Sequence, residues 1–378
     1  MRTCPTSADA EPRFGERSRL QGLPPDLWVV ERAPAQGWAQ GAPIVVLVHG
    51  SLDRAASFSR VVRRLPELGV VTYDRRGYQG SRGAPVTEGL APHIADLVHI
   101  AEAYAARRLD GSEARPGAHG AGERARAPWR VVAIGHSVGA TIVLGAAVAR
   151  PDLFAAAGAY EPSMPWLGFH RRPARADDST AGGAPSTPER PDPAKDAAEE
   201  AERFFRRMVS DAAWERLSDA ERASRQADGP ALVADLRAIR GAPPFDVTGL
   251  SVPTIVSCGG PASASHHRQT ADWLETHVTV IHKSVVPDAG HGAHLSHPDA
   301  FADLVRDVVA QLPEGRDHGH ALAPPRAPHP GMHARNAPHS GGRTTVSPER
   351  TEDKEPRGHS GPPTGPDALL SRCRKGPF

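Results

Sequence analysis

The stretch 130-RVVAIGHSVGATIVLG-145 decides how the chain reads. Val131 to Ile134 form an apolar run that suits a buried strand of a parallel sheet. Gly135-His136-Ser137-Val138-Gly139 follows, and residues 140–149 then read as a helix. Strand, abrupt turn, helix is the context that a G-x-S-x-G pattern requires. Such a turn strains its central residue, so the positions two away on either side must be small. Gly135 and Gly139 meet that need, and Ala140 lets the helix approach closely. Ser137 is thereby presented at a sheet edge, beside a helix N-terminus whose N–H groups stabilise an anion. A serine between glycines is often an ordinary turn residue, so its partners elsewhere in the chain carry the decision.

The bulk properties narrow the search. The chain has 378 residues, enough for one large domain or two small ones. Its 37 Gly, 38 Pro and 5% aromatic content imply much sequence with little to bury. With 45 basic and 44 acidic residues the formal charge is +1, so no overall field favours nucleic acid or an anionic membrane. Cys4, Cys258 and Cys373 make no disulfide framework. Residues 1–20 lack the apolar centre of a signal peptide. No apolar run approaches the roughly 18 to 20 residues that cross a bilayer. A soluble cytoplasmic protein acting on a small molecule is expected.

Along the chain, residues 1–20 are expected to be disordered. Leu27 to Glu31 reads as a short antiparallel edge strand, and Pro43 to Val48 as a buried one. A helix from about Arg54 to Leu65, a strand from Gly69 to Tyr73 and a helix from Pro92 to Leu109 follow. Residues 110–128 read as a flexible insertion. After the central strand and helix comes a small-residue strand, Leu153 to Tyr160, leading into Glu161-Pro162-Ser163. Residues 171–195 are of low complexity, and Ala197 to Ile239 is helical, divided into three short helices. Strand, helix, strand and helix then return at Val252 to Cys258, Gln269 to Glu275, Val278 to Val286 and Pro298 to Leu312. From 313 to 378 the composition again predicts disorder. The alternation specifies a doubly wound, mostly parallel α/β sheet. Its core spans 21–165 and 250–312, and an all-helical cap occupies 166–249.

A serine hydroxyl needs an adjacent base to become a nucleophile. His291 supplies one, in the Gly-flanked loop after the strand ending at Val286. A developing oxyanion needs donors already in place. The Ser51 N–H, at the end of the first buried strand, and the Val138 N–H, just after the serine, are placed to provide them.

These pieces together resemble the α/β-hydrolase superfamily, in its capped, serine-nucleophile branch. The resemblance covers about residues 22–312, through HGSLD at 49–53, YDRRGYQGS at 73–81, GHSVG at 135–139 and DAGHGAHLSHP at 288–298, in the same order and spacing. It implies Ser137 as nucleophile, His291 rather than His294 as base, and Ser51 and Val138 as the oxyanion hole. The family usually places its acid after the strand matching Val252 to Cys258, where this chain has GGPASASHH and no carboxylate. Asp272 lies too far into the following helix. Some members carry the acid after the preceding strand, and Glu161 matches that position. A carboxylate there fixes the imidazole tautomer and stabilises its charged form.

The expected function is a serine hydrolase acting on an ester, lactone or thioester through an acyl-enzyme. Acyl transfer, lyase or perhydrolase chemistry would use the same residues, and a ligand-binding pseudo-enzyme would explain the displaced acid. No cofactor is expected. His291, His294 and His297 are spaced i, i+3, i+6 without a clear further ligand, so no metal is expected either.

Overall fold

The sheet is built from strands β1 (Glu16–Arg17), β2 (Trp28–Arg32), β3 (Pro43–Val48), β4 (Gly69–Asp74), β5 (Arg130–His136), β6 (Phe154–Tyr160), β7 (Thr254–Gly259) and β8 (Ile281–Val286). A computed structural model describes residues 15–39, 42–107, 130–169 and 193–312. The strand order is β1-β2-β4-β3-β5-β6-β7-β8. β1–β2 and β2–β4 pair antiparallel, and every other pairing is parallel.

Alternation along the strands explains why both faces are covered. Ile44, Val46 and Val48 of β3 point to one core, with residues from α2 (Ala91–Ala105), α3 (Val138–Ala149) and α8 (Ser265–His277). Val45 and Leu47 point to the other, with α1 (Ser59–Val62) and α9 (Pro298–Ala310). A strand buried on both faces must be apolar throughout, which is why β3 and β5 read as continuous apolar runs. The chain runs from β3 outward to β4 and then returns to β5 on the other side of β3. That reversal opens a crevice at the C-terminal ends of the strands, where a doubly wound sheet binds its ligands.

The cap is α4 (Pro193–Met208), α5 (Asp211–Glu215), α6 (Asp219–Ala227) and α7 (Gly229–Arg240). Phe205, Trp214, Leu232 and Leu236 close a small core that includes Leu52 of the sheet domain. There are four helices here where three were expected. Ser210 caps α5 by accepting from the Ala213 N–H, and Ser218 makes a capping box with Glu221 at α6.

Other boundaries also differ from the sequence reading. Glu16 and Arg17 belong to the sheet, against the expectation of disorder through residue 20. The neighbouring Ser18 hydroxyl donates to Glu31 (2.9 Å), and Tyr104 donates to Ser18 (3.0 Å), so a polar pairing draws the segment in. The helix expected from Arg54 to Leu65 divides into a 3-10 turn, Ala55–Phe58, and α1. The low-complexity stretch ends earlier than 195, because α4 begins at Pro193. The insertion at 110–128, most of 171–195, residues 1–14 and the tail 313–378 lie outside the described residues. Among the described residues no helix is long and apolar enough to cross a membrane.

The packing at α3 leaves no room for a side chain at either glycine of the turn. A Cβ on Gly139 would lie 2.2 Å from the Val48 carbonyl oxygen, and one on Gly135 would lie 2.3 Å from the Gly139 oxygen. Both contacts are with backbone, which cannot swing aside. Gly139→Ala should therefore destabilise the fold by about 1–3 kcal/mol, the range for overpacking a tight core. Urea unfolding of the two proteins checks it; equal midpoints would show that α3 can move back freely.

Candidate active site

Ser137 sits between β5 and α3 with φ 56° and ψ −123°, a backbone region that an L-residue enters only under constraint. Its N–H donates to the Tyr160 carbonyl (2.9 Å), and its own carbonyl accepts from Ser163 N–H (3.3 Å) and Ala140 N–H (3.0 Å). The side chain is thus held at the C-terminal edge of the sheet, 8% exposed.

The loops after β3, β6 and β8 converge on the same edge. Glu161, directly after β6, has φ 48° and a fully buried side chain. Its Oε2 lies 2.6 Å from His291 Nδ1. His291 is positioned through its backbone. Tyr160 donates its hydroxyl proton to the Gly290 carbonyl (2.7 Å), and His136 Nε2 lies 2.8 Å from the His291 carbonyl. Burial, then the neighbouring imidazoles of His294 and His291, pull His136 well below the ordinary histidine pKa. His136 is therefore neutral, with its proton on Nε2, and donates to that carbonyl.

Glu161 is well supplied with donors. Gly259 N–H (2.8 Å) and the Ser263 hydroxyl, at the end of β7 and in the loop after it, both donate to Oε1. His267 Nε2 lies 3.4 Å from Oε2, and its ring stacks on His291 at 4.7 Å. Burial works against ionisation of Glu161. The His291 hydrogen bond, the His267 and His291 charges and the Ser263 hydroxyl outweigh it, leaving the pKa at about 2. Asp272, the other carboxylate in this region, pairs with Lys283 on the surface. His294 does not compete with His291. It is 2% exposed, and its Nε2 meets Asp53 Oδ2 at 3.0 Å.

The oxyanion candidates adjoin the serine. A Cβ on Gly50 would lie 3.0 Å from Ser137 Cβ, so the segment 49–51 packs directly on it. Among the described residues, the amide N–H groups of Ser51 and Val138 have no acceptor. Val138 is the first residue of α3, where an open N–H is intrinsic to the helix. The Ser51 side chain donates to Asp235 Oδ2 (2.8 Å) on α7.

Three contributors had no signal in the sequence. Ser163 Oγ is 3.2 Å from Ser137 Oγ and is the hydroxyl's partner here, in place of His291. His267 was visible only as part of a loop lacking an acid. Asp235 reaches Ser51 across 184 residues of chain. The ligand atoms of Asp53, His136 and His294, and those of Glu161, His267 and His291, each lie within 4.8 Å of one another. In both groups the carboxylate already hydrogen-bonds an imidazole. His297, the third histidine of the i, i+3, i+6 series, instead meets the Ser296 hydroxyl.

The fold, the strained serine and the edge loops define an α/β hydrolase. The chain belongs to the α/β-hydrolase family, whose model matches residues 45–304. It is similar to a serine hydrolase involved in carbazole degradation, the CarC enzyme, with 18% identity and a TM-score of 0.51 over 75% of this chain and 94% of that one. The enol-lactonase of Burkholderia xenovorans LB400 aligns with 16% identity and a TM-score of 0.49, over 75% of this chain and 96% of that one. A thermophilic esterase of Thermogutta terrifontis aligns with 18% identity and a TM-score of 0.46, over 76% and 93%. No curated protein matches the sequence.

The lowered pKa of Glu161 gives stability a defined pH dependence. Its contribution is complete above the unfolded value of 4.5 and is lost as pH falls toward about 2. The stability difference between wild type and Glu161→Gln should shrink by roughly 3 kcal/mol across that window, at about 1.4 kcal/mol per pKa unit. Urea titrations at several pH values measure it; a constant difference would mean that the carboxylate is not held ionised.

Proposed function

We propose that the protein is a serine hydrolase acting on a small ester, lactone or thioester through an acyl-enzyme on Ser137. The observation that carries this reading is the Glu161–His291 pair, 2.6 Å apart, on the same sheet edge as a serine in a strained strand-to-helix turn. In this reading the Ser137 hydroxyl turns from Ser163 toward His291 Nε2 as substrate enters. Such hydrogen bonds often form fully only in the substrate complex. Ser137 Oγ attacks the carbonyl carbon while His291 takes its proton. Glu161, on Nδ1, stabilises the imidazolium. The carbonyl oxygen gains negative charge and is met by the Ser51 and Val138 N–H groups. His291 then protonates the leaving alcohol or thiol, and the C–O or C–S bond breaks. Water, deprotonated by His291, attacks the acyl group; the acid departs and Ser137 regains its proton.

The nucleophile also narrows the chemistry. Hydrolases that displace at an alkyl carbon form their intermediate on a carboxylate, and a serine here favours acyl substrates instead.

A fluorophosphonate probe should label wild type and leave Ser137→Ala unlabelled. Glu161→Gln should keep the fold and lower kcat on p-nitrophenyl esters by about 10³–10⁴-fold, the scale for leaving a catalytic histidine in the wrong tautomer. An unlabelled wild type would end the hydrolase reading. Full activity in Glu161→Gln would remove that residue from the mechanism.

A further inference from the structure

We propose that Asp235, on cap helix α7, is a positioning residue for the oxyanion loop, so that the seated cap sets the geometry of the Ser51 N–H. The inference rests on the serine-hydrolase reading above and concerns how one of its donors is aimed.

Asp235 lies in the cap, yet its carboxylate faces the sheet domain and is almost fully buried, at 1% exposure. It accepts four hydrogen bonds from there: Arg75 Nη1 at 3.1 Å, Arg75 Nη2 at 2.6 Å, the Tyr78 hydroxyl at 2.6 Å and the Ser51 hydroxyl at 2.8 Å. His93 Nε2 is 3.6 Å from Oδ1. Arg75, whose side chain is also fully buried, grips the loop with its remaining donors. Its Nε–H donates to the His49 carbonyl (3.0 Å) and Nη2 donates to the Gly50 carbonyl (3.1 Å). The Arg75 backbone N–H also donates to His49 Nε2 (2.9 Å).

The Gly50 carbonyl matters most. It shares one peptide plane with the Ser51 N–H, and in a trans peptide the two point in opposite directions. Holding the carbonyl therefore aims the N–H. Two donors hold it, Arg75 Nη2 and His49 Nδ1 (2.7 Å). Burial and then the Arg75 charge depress His49 to a pKa of about 3, so it is neutral, with its one proton on Nδ1. The next residue is fixed from the other side, by the bond from Ser51 Oγ to Asp235. The donor peptide is clamped at both ends, and Asp235 completes both clamps: directly at Ser51, and at Gly50 as the counter-charge that lets a guanidinium remain buried there.

An anchor that merely fastened the cap would affect stability or substrate binding. A positioning residue affects kcat, because an oxyanion donor strengthens its bond only in the transition state. The test measures kcat and KM for p-nitrophenyl acetate, fluorophosphonate labelling rate and thermal midpoint for wild type, Ser51→Ala, Asp235→Asn and Trp214→Phe. Trp214 is buried in the cap core, and its hydrogen bonds go to Ser210, Leu217 and Arg222 rather than to the clamp, so its variant reports cap stability. Asp235→Asn should lower kcat by about 10²-fold, approaching the loss of one oxyanion donor. Ser51→Ala, which buries no unpaired charge, should lower it by about 3- to 10-fold through the loss of a single hydrogen bond. In both, KM should stay within about twofold of wild type, because the lost interaction belongs to the transition state. Trp214→Phe should lower the midpoint and leave kcat unchanged. If Asp235→Asn does not fold, Ser51→Ala decides alone. Wild-type kcat in a folded Ser51→Ala, or an equal kcat loss in Trp214→Phe, would overturn the proposal. A wild type that neither labels nor hydrolyses would overturn the hydrolase reading together with this one, whereas a labelled wild type with unaffected variants would overturn this one only.

Discussion

The rest of the site depends on how closely α3 approaches the ends of β3 and β5. No Cβ fits at Gly135 or Gly139, because the backbone of the neighbouring segments already fills that space. Only this approach permits the turn that holds Ser137 at positive φ, with α3 starting at the next residue. A serine on a relaxed turn would place its hydroxyl elsewhere, and the N-terminal amides of α3 would not point past it. Strain of this kind persists only where the surrounding structure over-determines it. Here four backbone hydrogen bonds and two cores, one on each face of the sheet, do so.

The position of Glu161 beside His291 has a physical rationale in the same geometry. β6 and β7 are adjacent parallel strands, so the loops that leave their C-terminal ends are neighbours. A carboxylate can start from either loop and reach the same imidazole nitrogen. In this chain it starts from the β6 loop, and the β7 loop supplies the donors a buried carboxylate requires: a backbone N–H from Gly259, a hydroxyl from Ser263 and the imidazole of His267. The small residues of 259–264 let that loop fold over Glu161. A buried charge without such partners would be expelled or protonated.

Much of this was legible in the sequence, for identifiable reasons. β3 and β5 are apolar throughout because both faces are buried, and the G-x-S-x-G turn has one structural solution. Glu161 was found by elimination within a resemblance, and the structure brings it to His291. Features that depend on long-range polar contacts were not legible. Asp235 lies on a helix whose pattern says only that one face is apolar, and nothing local marks it as a partner of Arg75 and Ser51. Ser163 follows Glu161 by two residues, but a serine after a proline carries no signal. The four-helix cap was read as three because Ser210 and Ser218, its caps, stand among other polar residues. Glu16 and Arg17 were assigned to a disordered tail because a two-residue strand has no periodicity to detect.

The central claim is that a covalent acyl-enzyme forms on Ser137. Its most direct test is rapid quenching of the protein with p-nitrophenyl acetate, followed by mass spectrometry of the intact chain and its peptides. The account predicts a transient mass increase of one acetyl group, located on the peptide containing Ser137 and absent from Ser137→Ala. Turnover with no modified chain, or with the acetyl group on another residue, would contradict it.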